Sequence, residues 1–200
     1  VQNLYEATTF ATWALALAYL LIGLWRRVRF LGAFASPVLF AVGVFALMPA
    51  LDPPHGPRPE FSGALQSLHA AFTMLAYGAL GLSAVAAAMF LTQEHNLKFN
   101  KLKAVLSLLP PIERLERVTK WLLVIGVMLL TIGLHLGGRL PRPEGVHFIQ
   151  DPKVVWSIVL WLACVALLIL RWRGLSPRRF SWGVSGIFLF VLLTFWGTNL

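Results

Sequence analysis

Residues 79–92 read Ala79-Leu80-Gly81-Leu82-Ser83-Ala84-Val85-Ala86-Ala87-Ala88-Met89-Phe90-Leu91-Thr92, without one charged side chain. Residues 121–134, from Trp121 through Gly126 and Met128 to Leu134, repeat the pattern. A soluble helix shows a polar stripe every three or four residues, and a membrane β-strand alternates with period two. Neither stretch does either, and a helix that is apolar all round belongs in lipid. At a rise of about 1.5 Å per residue, roughly 20 apolar residues cross a hydrocarbon layer about 30 Å thick. Working outward from these two stretches, six blocks have that character: 7–25, 31–50, 64–92, 119–138, 154–171 and 181–198. The expected fold is all-α, a polytopic membrane helix bundle of about six transmembrane helices. It forms a single transmembrane domain over 1–200.

Composition agrees. Hydrophobic residues make up 58% of the chain and charged residues 12%, about half the charge fraction of a soluble domain. The charges are placed unevenly. Arg26, Arg27 and Arg29 follow the first block, Lys98, Lys101, Lys103, Arg114, Arg117 and Lys120 separate the third from the fourth, and Arg171, Arg173, Arg178 and Arg179 separate the fifth from the sixth. The other side has only Arg58, Arg139, Arg142 and Lys153. The positive-inside rule then puts both the N-terminus and the C-terminus outside and the three basic loops in the cytoplasm. The net charge of +9 thus reads as a topology signal and an attraction to anionic lipid, and no nucleic-acid partner is expected. Trp25, Trp121, Trp172 and Trp182 fall at the inner boundary, and Trp156 and Trp196 near the outer one, where amphipathic rings anchor.

Two segments interrupt the apolar pattern. Leu51 to Ser62 is an outer loop with Asp52, His55, Glu60 and four prolines. Gln93 to Lys120 is cytoplasmic and amphipathic, and Leu109-Pro110-Pro111 should break any helix within it. Ala79, Ser83 and Ala87, with Gly78 and Gly81 beside them, form a small-residue stripe that lets helix backbones approach closely. Cys164 is alone, so no internal disulfide can form. The first residue is Val1, with no basic leader before the first block, and a part upstream is expected.

Four of the five histidines lie outside or at the outer boundary: His55, His69, His135 and His147. Ionisable groups at membrane depth are costly and usually have a partner or a task. Neutral imidazole is also a haem-iron ligand. His69 and His135, on neighbouring helices at similar depth, are the natural pair to hold one haem. The plainer alternative is that such a histidine bonds to a carbonyl, to Thr73 one turn away or to water. His95 lies in the basic loop and reads as solvated. Asp151-Pro152-Lys153 followed by Trp156 reads from spacing as a helix entry: N-cap, first-turn proline, interface anchor. The chain has no Gly-rich phosphate loop, zinc-type histidine spacing or nucleophile motif, so nothing points to a hydrolase, and without Cys-x-x-Cys-His it is not itself a c-type cytochrome; no enzymatic turnover of its own is expected.

Several stretches jointly resemble the cytochrome c assembly family, with its CcsA-type and HemX-type membrane proteins. Asn3-Leu4-Tyr5-Glu6 with Phe10 and Trp13 resembles the segment that precedes a helix in CcsA-type members. Leu68-His69 with Met74 and Tyr77 is similar to the family's histidine-bearing helix. Gln93-Glu94-His95-Asn96-Leu97-Lys98, Leu109-Pro110-Pro111 and Glu116 are similar to the cytoplasmic stretch of HemX-type members. Leu130-Thr131-Ile132-Gly133 with Gly137 and Gly138, Asp151-Pro152-Lys153 with Trp156 and Ser157, and Gly197-Thr198-Asn199 match later helices in the same order. CcsA-type members carry a Trp-Gly-x-x-Trp-x-Trp-Asp run where this chain has Glu144-Gly145-Val146-His147-Phe148-Ile149-Gln150-Asp151, and Val154 stands in place of a glutamate. The HemX-type branch, which lacks the tryptophan run, is therefore the nearer match. A second outer histidine of CcsA-type members would fall just past Leu200.

The resemblance implies a haem-handling protein of cytochrome c biogenesis, binding or delivering haem b on the outer face. His69 is then the axial ligand, with His135 as a second, and Trp156, Phe148 and Asp151 line the porphyrin. It implies a bacterial inner (cytoplasmic) membrane or equivalent organelle membrane and other membrane subunits of a maturation or haem-related complex as partners. The alternatives are a structural or regulatory HemX-type subunit without haem chemistry, a b-type electron-transfer subunit, and a transporter without haem, for which no buried carboxylate pair or broken-helix site speaks.

Overall fold

The computed structural model describes residues 4–24, 64–99, 110–140 and 152–197, with 32, 35, 36 and 39 as isolated positions. These residues form five helices and no strand: α1 Leu4–Gly23, α2 Ala64–Phe99, α3 Ile112–Gly138, α4 Pro152–Trp172 and α5 Pro177–Gly197. Three of them contain spans long and apolar enough to cross a membrane, Ala64–His95, Ile112–Gly138 and Val154–Trp172. The block expected at 31–50 lies outside the described residues apart from Gly32, Ala35, Ser36 and Leu39. Two boundaries differ most from the sequence expectation. Helix α2 runs on through the polar Gln93–Lys98 stretch, and α3 starts at Ile112, about two turns earlier than the apolar run. Pro111 sets the start of α3, because it sits in an extended conformation (φ −51°, ψ 140°) and has no N–H to donate.

Helix α2 is the centre. Of its apolar span 67% is buried, against 28% for α3 and 17% for α4. It packs most extensively on α3, and also on α1 and α5, while α4 rests on α3 and α5. Small residues on α2 make this possible. A methyl group at Gly78 would collide with the Ala14 carbonyl and the Ala18 side chain of α1, and one at Gly81 would press on Leu15 of α1 and Phe188 of α5. Ala79, Ser83 and Ala87 are all buried. The outer surface is the reverse of a soluble one. Trp13, Leu20, Met128, Ile132, Val159, Leu162, Ile169 and Leu189 are each exposed, and this greasy shell has a matching solvent only in lipid. The protein is a multi-pass membrane protein.

Helices α4 and α5 form a tight hairpin. Leu175 N–H donates to the Leu170 carbonyl (2.9 Å) and Gly174 N–H to that of Arg171 (3.3 Å). This is the paired C-terminal cap that needs a left-handed residue, and Gly174 (φ 102°) supplies it. Pro177 then opens α5 where no donor is lost. Two ion pairs tie this hairpin to α2 and α3 at the basic end. Arg171 pairs with Glu116 of α3 and also donates to the Leu175 carbonyl (3.0 Å), and Arg178 pairs with Glu94 of α2 (3.6 Å).

Candidate functional site

The α2–α3 seam has a regular register. Ser83 Oγ donates to the Thr119 carbonyl (2.9 Å), Gly126 lies against Ala76 and Leu80, Gly133 against Thr73, and Gly137 against His69. On α2 the contact positions 69, 73, 76, 80 and 83 alternate spacings of four and three; on α3 they are 119, 126, 133 and 137. This is the register of antiparallel helices crossing at about 20°, in which each side chain enters a gap on its neighbour. His69 fills the last layer of that seam. Its place is set by the packing beneath it.

At this layer His69 Nδ1 lies 2.8 Å from the Gly133 carbonyl oxygen. A carbonyl can only accept, so the proton must be on Nδ1. Nε2 then keeps its lone pair, and no group among the described residues hydrogen-bonds it. Thr73 Oγ1 donates to the His69 backbone carbonyl (2.6 Å) and leaves the ring alone. The plain reading of His69 as a carbonyl-bonded histidine therefore accounts for one ring nitrogen and not for the other. An imidazole that donates through one nitrogen to a backbone carbonyl and presents the other is the arrangement of metal-binding histidines in general. On that count the donor chemistry fits a haem iron.

The other expected residues fall as follows. His135 is two positions from both Gly133 and Gly137, which puts it on the opposite side of α3, where it is exposed. The structure does not bring His69 and His135 together. Trp156 is 41% exposed and packs against Phe190 of α5, ring centroids 5.1 Å apart and tilted by 54°. Its neighbour Ser157 hydrogen-bonds Tyr77 of α2, and Trp161 donates to Thr131 Oγ1 of α3 (2.8 Å). No described contact joins Trp156 to His69. Phe148 and Asp151, like His55 and His147, lie outside the described residues. Among those described, no group of three His, Cys, Asp or Glu side chains is placed to hold a metal ion. A single imidazole of this kind would suit an iron whose other ligands are supplied by a porphyrin.

The family described as Cytochrome C assembly protein matches residues 1–200. The chain belongs to the cytochrome c assembly family. Among its relatives, the cytochrome c biogenesis protein CcsA of Prochlorococcus marinus (strain AS9601) is 26% identical over all of this chain and 72% of its own length. CcsA of Trieres chinensis is 26% identical over 87% of this chain and 67% of its own length. Protein HemX of Brevibacillus brevis is 28% identical over 98% of this chain and 73% of its own length. No solved structure matches the chain. In this cytochrome c assembly protein, Gly133 and Gly137 enter the sequence pattern only as part of the resemblance, with no role at the site. They were visible only as glycines, and what marks them is their spacing of one turn opposite the spacing of His69 and Thr73.

Proposed function

We propose that this cytochrome c assembly protein handles haem in cytochrome c biogenesis, binding haem b near the outer face through His69 Nε2. The observation that carries the reading is the His69 Nδ1–H to Gly133 carbonyl bond, which leaves Nε2 as the unprotonated ring nitrogen. Bound there, haem supplies an iron that accepts this nitrogen. The chain's own residues hold the ring, select its tautomer and keep its approach to the helix fixed. Turnover is not part of this role. The basic loops at 26–29, 93–120 and 171–179 support six spans with both termini outside, in a bacterial inner membrane or its organelle equivalent, and put His69 toward the outer end of α2. Other membrane subunits of a maturation complex are the expected partners. Purified full-length protein should carry a Soret band, or gain one when haem is added, and His69→Ala should weaken it. Protein that carries no haem and takes up none contradicts the reading.

The absence of tryptophan from 144–151 favours a second reading, a regulatory HemX-type subunit without haem. Crosslinking from the 93–120 segment to a cytoplasmic partner in native membranes, together with a haem-free spectrum, would support it. A b-type electron-transfer role that uses His69 and His135 on one iron is disfavoured by their placement on opposite sides of α3.

A further inference from the structure

We infer that Gly133 and Gly137 are positioning residues that fix the His69 imidazole in place as its Nδ1–H tautomer. The inference rests on the reading of His69 as a haem ligand but concerns the protein's own residues. Free neutral histidine in water carries its proton mostly on Nε2, the less hindered nitrogen and the one that haem iron takes. A protein that presents Nε2 to iron must reverse that preference, and a carbonyl acceptor at Nδ1 does so. The acceptor here is a helix carbonyl. Its first lone pair serves the helix, so the bond from His69 uses the second.

That second lone pair is reachable because of Gly137. In a helix the side chain four positions on flanks each carbonyl, and Gly137 stands four positions beyond Gly133. A Cβ at 137 would lie 2.8 Å from His69 Cε1 and 3.0 Å from Nδ1. Contacts that short are excluded, and the ring is the part free to swing away. Gly133 acts on the backbone under the ring: a Cβ there would press Thr73 Oγ1 at 3.0 Å, the hydroxyl that donates to the His69 carbonyl. The two glycines, one turn apart, thus accept His69 and Thr73, also one turn apart, and the ring packs close against the backbone at Gly137.

The experiment uses full-length protein with ¹⁵N-labelled histidine in lipid nanodiscs, first without haem, at a pH where the ring is neutral. His69 is assigned by the signals missing in His69→Gln. The expected result is a protonated Nδ1 and an unprotonated Nε2 in the wild type, and loss of that single tautomer in Gly137→Ala. On haem addition Gly137→Ala should show a displaced and weaker Soret band. Gly138→Ala, at the exposed next position, should match the wild type in both. A wild-type His69 protonated on Nε2 overturns the inference, as does a Gly137→Ala protein with wild-type tautomer and spectrum. If Gly137→Ala does not fold, the wild-type tautomer decides alone. A wild-type Nδ1–H tautomer in protein that takes up no haem upholds the positioning and overturns the haem reading, so the two fail separately.

Discussion

His69 and Gly133, 64 positions apart in the chain, are joined by a 2.8 Å hydrogen bond from imidazole Nδ1 to a helix carbonyl. The bond exists because the seam between α2 and α3 runs in register from Ser83 and Thr119 up to this layer. It gives His69 and His135 different standing. His69 is held on the seam, and His135 faces away from it. His135→Ala should therefore leave the haem spectrum of the purified protein unchanged, and loss of the Soret band in that variant would contradict the placement.

The seam itself has a test at Gly126, the glycine midway along it. A Cβ at 126 would approach Leu80 Cδ2 to 2.8 Å and Cγ to 3.0 Å, so Leu80 must leave its rotamer in a packed interior. Overpacking of this kind costs about 1–3 kcal/mol. Gly126→Val should lower the thermal stability of the detergent-solubilised protein and reduce haem uptake with it. Gly186→Ala, which meets nothing within 4 Å, should raise or preserve stability, since alanine is the better helix former.

At the opposite end, Glu116 and Arg171 form an ion pair with side chains only 25% and 24% exposed. Removing one partner leaves a partly desolvated charge, while replacing both by apolar groups leaves none. Glu116→Gln should destabilise by about 1–2 kcal/mol after allowance for the remaining solvent screening. Glu116→Met with Arg171→Met should destabilise less than Glu116→Gln. Thermal unfolding of the three proteins in one detergent measures the order, and a double variant worse than the single one would contradict it.

The orientation is open to chemical labelling. In a Cys164→Ala background, cysteine at Arg173, exposed in the α4–α5 turn, should react with a membrane-impermeant maleimide only after the membrane is opened. Cysteine at Arg139, exposed at the end of α3, should react in intact spheroplasts. The reverse pattern would turn the protein over and put His69 toward the cytoplasm.

The helices were legible because lipid demands unbroken apolar length, and 79–92 and 121–134 carry that signal without ambiguity. His69 was legible because an ionisable ring at membrane depth needs a reason. Its partners were not. In a helix that is apolar all round, no contrast between faces says which one meets a neighbour, and the information lies in small residues such as Gly126, Gly133 and Gly137. The pairing of His69 with His135 came from similar depth alone; depth is readable from sequence, whereas angle around α3 is not. Glu116 and Arg171 went unread as a pair for a similar reason. Counted as loop charges they give topology, and only the docking of α4 on α3 brings them together.

The central claim is that His69 offers Nε2 to haem iron. The most direct measurement is the absorption spectrum of purified, haem-supplemented His69→Gly with and without added imidazole. The account predicts a weakened Soret band that free imidazole restores toward the wild-type position. A His69→Gly spectrum identical to wild type without imidazole would contradict it.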